Sequence, residues 1–243
     1  LMERAGNAAF ALLRERFPRA RRIAVVCGPG NNGGDGYVLA RLAKEAGLAV
    51  VVLSPADNVG LKGDAAAAGA AWRKADGPTQ SFSVAPLQAC DVIVDALFGT
   101  GLERPLEGEW RAAIEAMNAS GRPIFAIDIP SGLHADSGRV LGAAVRAALT
   151  LSFIGLKAGL FTGQGREHSG LILFDDLGVP GAVFSDVTPL ARRITQRNLH
   201  GLLAPRARHA HKGDAGRVLV VGGQPGMPGA VRLAGEAASR AGA

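Results

Sequence analysis

The sequence predicts a three-layer α/β fold built on a parallel sheet. Short apolar runs rich in β-branched residues alternate along the chain with stretches whose apolar residues recur at helical spacing. Each apolar run leads into a turn and then into a helical stretch. This alternation is typical of a parallel sheet covered by helices on both faces. We therefore expect one such domain over residues 1–184.

The expected strands are short runs of mostly Val, Ile, Leu and Phe. The expected helices are alanine-rich or carry apolar residues at helical spacing, as Val38, Leu42 and Ala46 do. The last two strands follow one another without a long helix between them, so we expect the sheet to end in a less regular region. In chain order we expect a helix at 2–16, a strand at 23–27, a helix at 36–46, a strand at 48–53, a helix at 62–75, a weak strand near Phe82, a strand at 91–95, a helix at 109–118, and strands at 123–128, 148–153 and 170–176.

The last part of the chain differs in character from the rest. From about residue 179 a polar connection with one short helix leads to "GRVLVVGGQPGMPGAVRLAGEAASRAGA", where we expect a strand, a glycine loop and a helix. One strand and one helix cannot bury a core of their own. We interpret residues 185–243 as a linker followed by the first, truncated part of a second domain.

Composition narrows the class of protein. Hydrophobic residues make up 48% of the chain, enough for a buried core, and no apolar run reaches the roughly 18 residues of a membrane span. The two cysteines, Cys27 and Cys90, are far from metal-ligand spacing, which indicates a reduced, cytoplasmic protein. The net charge of +6 is compatible with binding to nucleic acid. Scattered arginines and few aromatics favour instead a basic surface that attracts anionic small molecules.

A glycine motif follows the first expected strand. The G-x-G-x-x-G spacing that begins at Gly28 lies on a strand-to-helix turn, as in Rossmann-like dinucleotide-binding domains, where helix N-terminal amides receive an anion. The acidic residue that would bind a ribose after the next strand is missing. Ser54 and Pro55 stand there, and Asp57 lies further into the loop. This departure disfavours an NAD-dependent dehydrogenase.

Polar side chains follow three of the expected strands. Asn31, Asn32 and Asp35 come after the first, and two later strands end in Asp95 and Asp128 before glycine or proline loops. A strand-end aspartate often caps the next turn or helix, which is the structural alternative for either residue alone. Because ligands in open α/β sheets bind beyond the carboxyl ends of the strands, the whole set indicates a binding site.

The carboxylates in this set need a cation, a shared proton or a polyhydroxyl ligand, because like charges at one site repel. Oxygens of Asn32 and Ser131 beside the Asp95 carboxylate would make a hard, weakly charged site. Such a site favours an alkali or alkaline-earth ion over zinc, which prefers histidine and cysteine. The loop "FGTGLERP" offers backbone amides and Arg104 to a phosphate.

Four motifs in this order resemble the NAD(P)H-hydrate epimerase family: "MERAG", "GPGNNGGDGYVLARL", "DALFGTGLERP" and "AIDIPSGLHADSG". The tail "HKGDAGRVLVVGGQPGMPGAVRLAGEAASRAGA" resembles the opening of the ADP- or ATP-dependent NAD(P)H-hydrate dehydratase, which has a ribokinase-like α/β fold. The resemblance implies epimerisation of R- and S-NAD(P)HX at C6 of the hydrated nicotinamide ring. In a full-length protein this activity would be coupled to ATP- or ADP-dependent dehydration of S-NAD(P)HX, which we do not expect from residues 1–243 alone.

The resemblance also implies roles for individual residues. The potassium ligands it implies are Asn32, Asp95 and Ser131, and we take Asp128 as the catalytic acid or base. Lys157 is either an ordinary loop lysine or part of the same site, since a lysine before a small residue and glycine recurs there in the family. The implied substrate contacts are Asn31, Asn32, Gly33, Gly34, Asp35, Gly99, Thr100, Gly101, Leu102, Glu103, Arg104, Pro105, Asp128 and, in the tail, Ala230.

The implied cofactors are K+ and, for the dehydratase half of a full-length protein, ADP or ATP. The implied partner is the small molecule NAD(P)HX, with no nucleic acid or membrane, and a homodimer or higher homo-oligomer is plausible for the family. The alternative is a non-catalytic nucleotide-binding or protein-assembly module of the same fold. Such a module is expected to lose the metal and acid residues, yet Asn32, Asp95, Asp128 and Ser131 are all present.

Overall fold

The computed structural model describes residues 1–55, 60–185, 187–199, 208–211, 213–214 and 216–242. The chain divides into two compact units, Leu1–Ala191 and Arg192–Ala243. Asp57, which the sequence places in the loop after the second strand, lies outside the described residues. The assignment of residues 185–243 to a linker and a truncated second domain stays a prediction.

The first unit is built on a seven-stranded sheet in which every neighbouring pair is parallel. The strand order β3-β2-β1-β4-β5-β6-β7 reverses direction between β1 and β4. At such a switch point the two loops leave the sheet in opposite directions and open a crevice. The strands are β1 (Arg22–Cys27), β2 (Ala49–Ser54), β3 (Thr79–Ser81), β4 (Val92–Ala96), β5 (Ile124–Ile127), β6 (Leu149–Phe153) and β7 (Leu171–Asp175).

Helices cover both faces of the sheet, as the sequence predicts. Side chains alternate along each strand, so Val25 of β1 packs in a core with Leu39 and Trp72, whereas its neighbour Val26 packs with Ile114 on the opposite face. The three layers follow from this two-sided burial. The helices of the first unit are α1 (Met2–Arg16), α2 (Asn31–Glu45), α3 (Gly63–Lys74), α4 (Val84–Ala89), α5 (Gly108–Ala119) and α6 (Gly165–His168). The second unit contains α7 (Gln196–Leu199) and α8 (Gly229–Ala241).

The start of α2 differs from the sequence-based expectation. The helix begins at Asn31 rather than at Gly36, so the polar residues of the glycine motif form its first turns. Glycine and asparagine are weak helix formers, which is why the sequence favours a loop there. Tertiary packing outweighs that preference, because a Cβ at Gly33 would overlap the carbonyl oxygen of Gly28 and one at Gly36 would crowd the side chain of Ala96.

The end of the sheet is irregular, as expected. A short 3-10 turn at Ala158–Leu160 and the four-residue α6 connect β6 to β7, which pair directly. The prediction of a strand within "GRVLVV" is wrong, because the described residues 216–221 form no strand. A strand needs a partner for its backbone hydrogen bonds. No helix in the described ranges is long and apolar enough to span a membrane.

Candidate functional site

A cleft with a volume of about 390 Å³ opens at the carboxyl ends of β1, β4 and β5, at the switch point. Asp35 and Asp128 also line an adjoining cavity of about 270 Å³, together with Phe153, Ile154 and Leu177. The two spaces therefore share one carboxylate-lined wall. The lining of the larger cleft is Pro29, Gly30, Asn31, Asn32, Asp35, Leu97, Phe98, Gly99, Thr100, Gly101, Leu102 and Asp128.

Glycines bring the two loops of the cleft into contact. The Gly28 amide donates to the Ala96 carbonyl at 2.9 Å, and a Cβ at Gly28 would overlap the carbonyl oxygen of Leu97. On the other side of the loop, a Cβ at Gly99 would lie 3.5 Å from Cβ of Asn32 and 3.6 Å from Oδ2 of Asp128. The two loops can lie this close together because Gly28 carries no side chain.

Asp95 is a fully buried carboxylate at the end of β4. Its Oδ1 accepts the Ser131 hydroxyl at 2.6 Å and the Leu97 amide at 3.2 Å, and its Oδ2 accepts the Ser131 amide at 2.8 Å. Burial raises the pKa of Asp95 to about 6, and these hydrogen bonds oppose the rise. The Ser131 oxygen in turn accepts the Phe98 amide at 2.8 Å, so the loop after β4 is tied to the turn after β5.

Asn32 is a buried polar side chain at the start of α2. It is 7% exposed, and within the described part of the chain neither its Oδ1 nor its Nδ2 makes a hydrogen bond. An unpaired buried amide costs on the order of 1–3 kcal/mol, so its presence indicates a ligand. Among the described residues no group of three or more His, Cys, Asp or Glu is placed to hold a metal. The oxygens of Asn32, Asp95 and Ser131 are instead the hard, weakly charged donors that suit an alkali ion.

Asp128 is held in a strained conformation at the end of β5. Its φ of 68° is in the left-handed region, and the Ile129 amide donates to the Ile127 carbonyl across it at 2.9 Å. Such outliers persist where the surrounding structure enforces them, commonly at functional sites. The turn aims the carboxylate at β6, where its Oδ1 accepts the Phe153 amide at 3.2 Å.

Lys157 belongs to the site rather than to an ordinary loop. Its Nζ donates to Oδ1 of Asp128 and, at 2.9 Å, to the carbonyl of Phe153. The side chains of this ion pair are 14% and 16% exposed for Lys157 and Asp128 respectively, so water screens the pair weakly. The lysine therefore neutralises the carboxylate at the mouth of the cleft.

Asp35 lies on α2, one turn beyond the start of the helix. Within the described part of the chain its carboxylate has no hydrogen-bond or ion-pair partner. Burial raises the pKa of Asp35 to about 7, and the negative charge of Asp128 adds to the rise. At neutral pH this carboxyl group can therefore both give and take a proton.

The remaining predicted contacts divide into three groups. Asn31 and the loop residues Gly99–Leu102 line the cleft. Gly33 and Gly34 are buried against neighbouring backbone and the Met2 side chain, so they shape the first turn of α2 from beneath. The residues that do not line the cleft are Glu103, Arg104 and Pro105, which are exposed, and Ala230, which lies in α8 of the second unit.

Sequence reasoning missed the contribution of β6. Phe153 supplies both an amide and a carbonyl to the Asp128–Lys157 pair, and Ile154 has a φ of 63°. A bulky β-branched residue in that region is a clear outlier. The Gly155 amide donates across Ile154 to the Phe153 carbonyl at 2.6 Å. No residue type in this segment predicts the turn. The position of the segment at the carboxyl end of a strand could have suggested a role in the site.

Comparison with known proteins gives consistent results. A family model described as "YjeF-related protein N-terminus" matches residues 1–159. The bifunctional NAD(P)H-hydrate repair enzyme Nnr of Coxiella burnetii is 46% identical over 243 residues, covering 100% of this chain and 50% of that protein. The Nnr of Escherichia coli K12 is 44% identical over 243 residues, covering 100% and 47%. The chain thus spans about half the length of these curated relatives.

One solved structure has the same arrangement of elements. The crystal structure of the yeast protein ynu0, YNL200c, superposes with a TM-score of 0.57 at 25% identity. The match covers 65% of this chain and 72% of the yeast chain. The three-layer α/β fold of the first unit is therefore shared with a known protein, whereas a ribokinase-like part stays a prediction.

Proposed function

This chain belongs to the family of the YjeF-related protein N-terminus, and we propose from that membership that it is an NAD(P)H-hydrate epimerase domain. Its relatives carry the name of bifunctional NAD(P)H-hydrate repair enzymes. The reaction would interconvert the R and S forms of NADHX or NADPHX at C6 of the nicotinamide ring. The observation that carries the proposal is the Asp128–Lys157 ion pair at the mouth of a cleft walled by two glycine-containing loops.

The glycine-containing loops are suited to the phosphate and ribose groups of the substrate. Residues Gly99–Leu102 and the first turn of α2 line the cleft, and a helix N-terminus favours negative charge. Asn31 at the start of that helix is exposed to the cleft and can bond a hydroxyl. Glu103, Arg104 and Pro105 are exposed and lie outside the lining of the cleft.

The chemistry requires protons to move at C6. The carbon bears a hydroxyl group beside the ring nitrogen, so inversion proceeds through transient ring opening or loss of water. Either route needs a group that takes and returns a proton within hydrogen-bond reach. Asp128 is placed for this role, because its strained turn and Lys157 hold the carboxylate at the cleft.

Potassium is the cofactor that we propose for this domain. Asn32, Asp95 and Ser131 would hold it, since the first has unpaired buried polar atoms and the other two form the buried carboxylate–hydroxyl pair. When bound, the ion supplies a fixed positive charge that balances Asp95 and lowers the cost of its burial.

The tail resembles the start of a second catalytic domain, which would add an activity in a full-length protein. We propose that residues 185–243 lead into an ADP- or ATP-dependent NAD(P)H-hydrate dehydratase, in which Ala230 would approach the substrate. The unpaired, buried cysteines Cys27 and Cys90 support a reduced, cytoplasmic setting. A homodimer or higher oligomer stays a prediction from the family resemblance.

The test is the rate at which the purified chain interconverts separated R- and S-NADPHX in potassium buffer. We expect interconversion by the parent, at least about 100-fold slower interconversion by Asp128→Asn, and an unchanged rate for Glu45→Gln, which removes an exposed carboxylate from the far end of α2. A parent that binds NADPHX without turnover would contradict the proposal and favour the alternative, a non-catalytic nucleotide-binding or protein-assembly module.

A further inference from the structure

Two carboxyl groups face the same cleft, but their surroundings differ. Asp128 accepts hydrogen bonds from Lys157 and from the Phe153 amide, so a cation and a donor both stabilise its charged form. Asp35 shares both cavities with Asp128 and, among the described residues, has no hydrogen-bond or ion-pair partner. The pair is therefore asymmetric, with one carboxylate neutralised and the other unpaired.

The asymmetry bears on the proton affinity of Asp35. Burial, and then the charge of Asp128, raise the pKa of Asp35 to about 7. Lys157 opposes this rise. Asp64 of α3 also lines the smaller cavity. Two carboxyl groups whose environments push their proton affinities apart are the usual basis of an acid–base pair.

We propose that Asp35 is the general acid of the reaction, that Asp128 is its general base, and that Lys157 is a positioning residue that holds Asp128 in its charged form. This inference rests on the proposed epimerase function and assigns its two proton transfers to two residues. The first turn of α2 would thus serve catalysis as well as binding.

The step balances when written as ring opening. Asp128 takes the proton of the C6 hydroxyl, the N1–C6 bond breaks with its electron pair on N1, and Asp35 protonates N1. After rotation about C5–C6, N1 attacks the other face of the new aldehyde and returns its proton to Asp35, while Asp128 returns the hydroxyl proton. No oxidant, reductant or further reactant is needed. The route through loss of water would use the same acid and the same base.

The first test is kinetic. We expect Asp35→Asn to lower kcat and kcat/KM together by about 100-fold or more, with KM unchanged, and to abolish the fall of kcat at alkaline pH. Lys157→Met should lower kcat with KM unchanged, because the Asp128 carboxylate loses the cation that positions it, and Lys157→Arg should restore kcat. Glu45→Gln is the control. An Asp35→Asn variant with a raised KM and an unchanged kcat would overturn the proposal, because Asp35 would then only bind substrate.

The second test does not depend on turnover. Carbon-13 NMR of aspartate carboxyl groups in the ligand-free protein, with the Asp35 signal assigned by its loss in Asp35→Asn, follows each proton directly. We expect Asp35 to titrate near neutral pH. If Asp35 titrates at ordinary acidic pH, the division of roles is wrong even where the parent interconverts NADPHX. If the parent is inactive but Asp35 titrates near neutral pH, only the proposed reaction fails.

Discussion

Replacement of Asp35 by asparagine should stabilise the protein at alkaline pH while it removes activity. The folded state binds a proton at Asp35 more tightly than the unfolded state does, because burial and Asp128 raise the pKa from 3.8 to about 7. Between these two values the folded state holds more protons, so the free energy of unfolding falls as pH rises through that window. Asparagine has nearly the shape of the protonated side chain and does not titrate.

The expected difference in the free energy of unfolding follows from the two pKa values of Asp35. The rise from 3.8 to about 7 is about 3 pH units, and each unit corresponds to about 1.4 kcal/mol. Above pH 7 the parent is therefore destabilised by up to about 4 kcal/mol relative to Asp35→Asn. At pH 4.5 the difference should be about 1 kcal/mol, since this pH lies only about 0.7 unit above the unfolded value of 3.8.

Urea unfolding of the parent and Asp35→Asn at pH 4.5 and pH 8, with potassium held constant, measures both differences. Glu45→Gln controls for the loss of a carboxylate elsewhere on α2, where it forms an exposed ion pair with Arg41. Asp95 titrates in every variant and cancels from the comparison to the extent that the two sites are independent. An advantage of Asp35→Asn that is equal at the two pH values would refute the reasoning, because it could not come from a buried charge.

Three further predictions concern the loops and the ion. Gly28→Ala should lower the free energy of unfolding, measured in urea, by about 3 kcal/mol or more, because its Cβ would overlap the Leu97 carbonyl. Gly30→Ala, which has open space around it, should change that free energy by less than about 1 kcal/mol. Equal effects of the two substitutions would contradict the packing argument. Ser131→Ala should cost about 1–3 kcal/mol in the same assay, since a loop amide and the buried carboxylate both lose a partner. Potassium should raise the thermal midpoint of the parent but not that of Asn32→Leu, and a rise equal in both would exclude Asn32 as a ligand.

Much of the fold could be predicted from the sequence because its signals are local. The helix at 2–16 and the apolar runs of the central strands follow from residue periodicity within a short window, and their observed bounds agree to within one or two residues. The start of α2 and the short helix α4 could not be predicted in this way. Glycine contacts with a distant backbone decide the first, and α4 is too short for a periodic pattern to show.

The residues of the site could be predicted from the sequence, but the contacts between them could not. The position of Asp95 and Asp128 at strand ends places them at one edge of the sheet, because parallel strands share that edge. The pairing of Asp128 with Lys157, 29 residues away in the chain, depends on β5 and β6 being neighbours. Nor does the sequence indicate that Glu103, Arg104 and Pro105 are exposed and outside the lining of the cleft, since exposure depends on how the loop folds back.

The sequence by itself determined the α/β class, the elements of the sheet and the residue types gathered at its carboxyl edge, because hydrophobic period and glycine chemistry act over a few residues. Tertiary structure alone decided which carboxyl group is neutralised by a lysine, and which carboxyl group and which side-chain amide have no partner among the described residues. Those states depend on burial and on charges brought together from distant strands. The difference between Asp35 and Asp128 is therefore a property of the folded sheet and not of either aspartate.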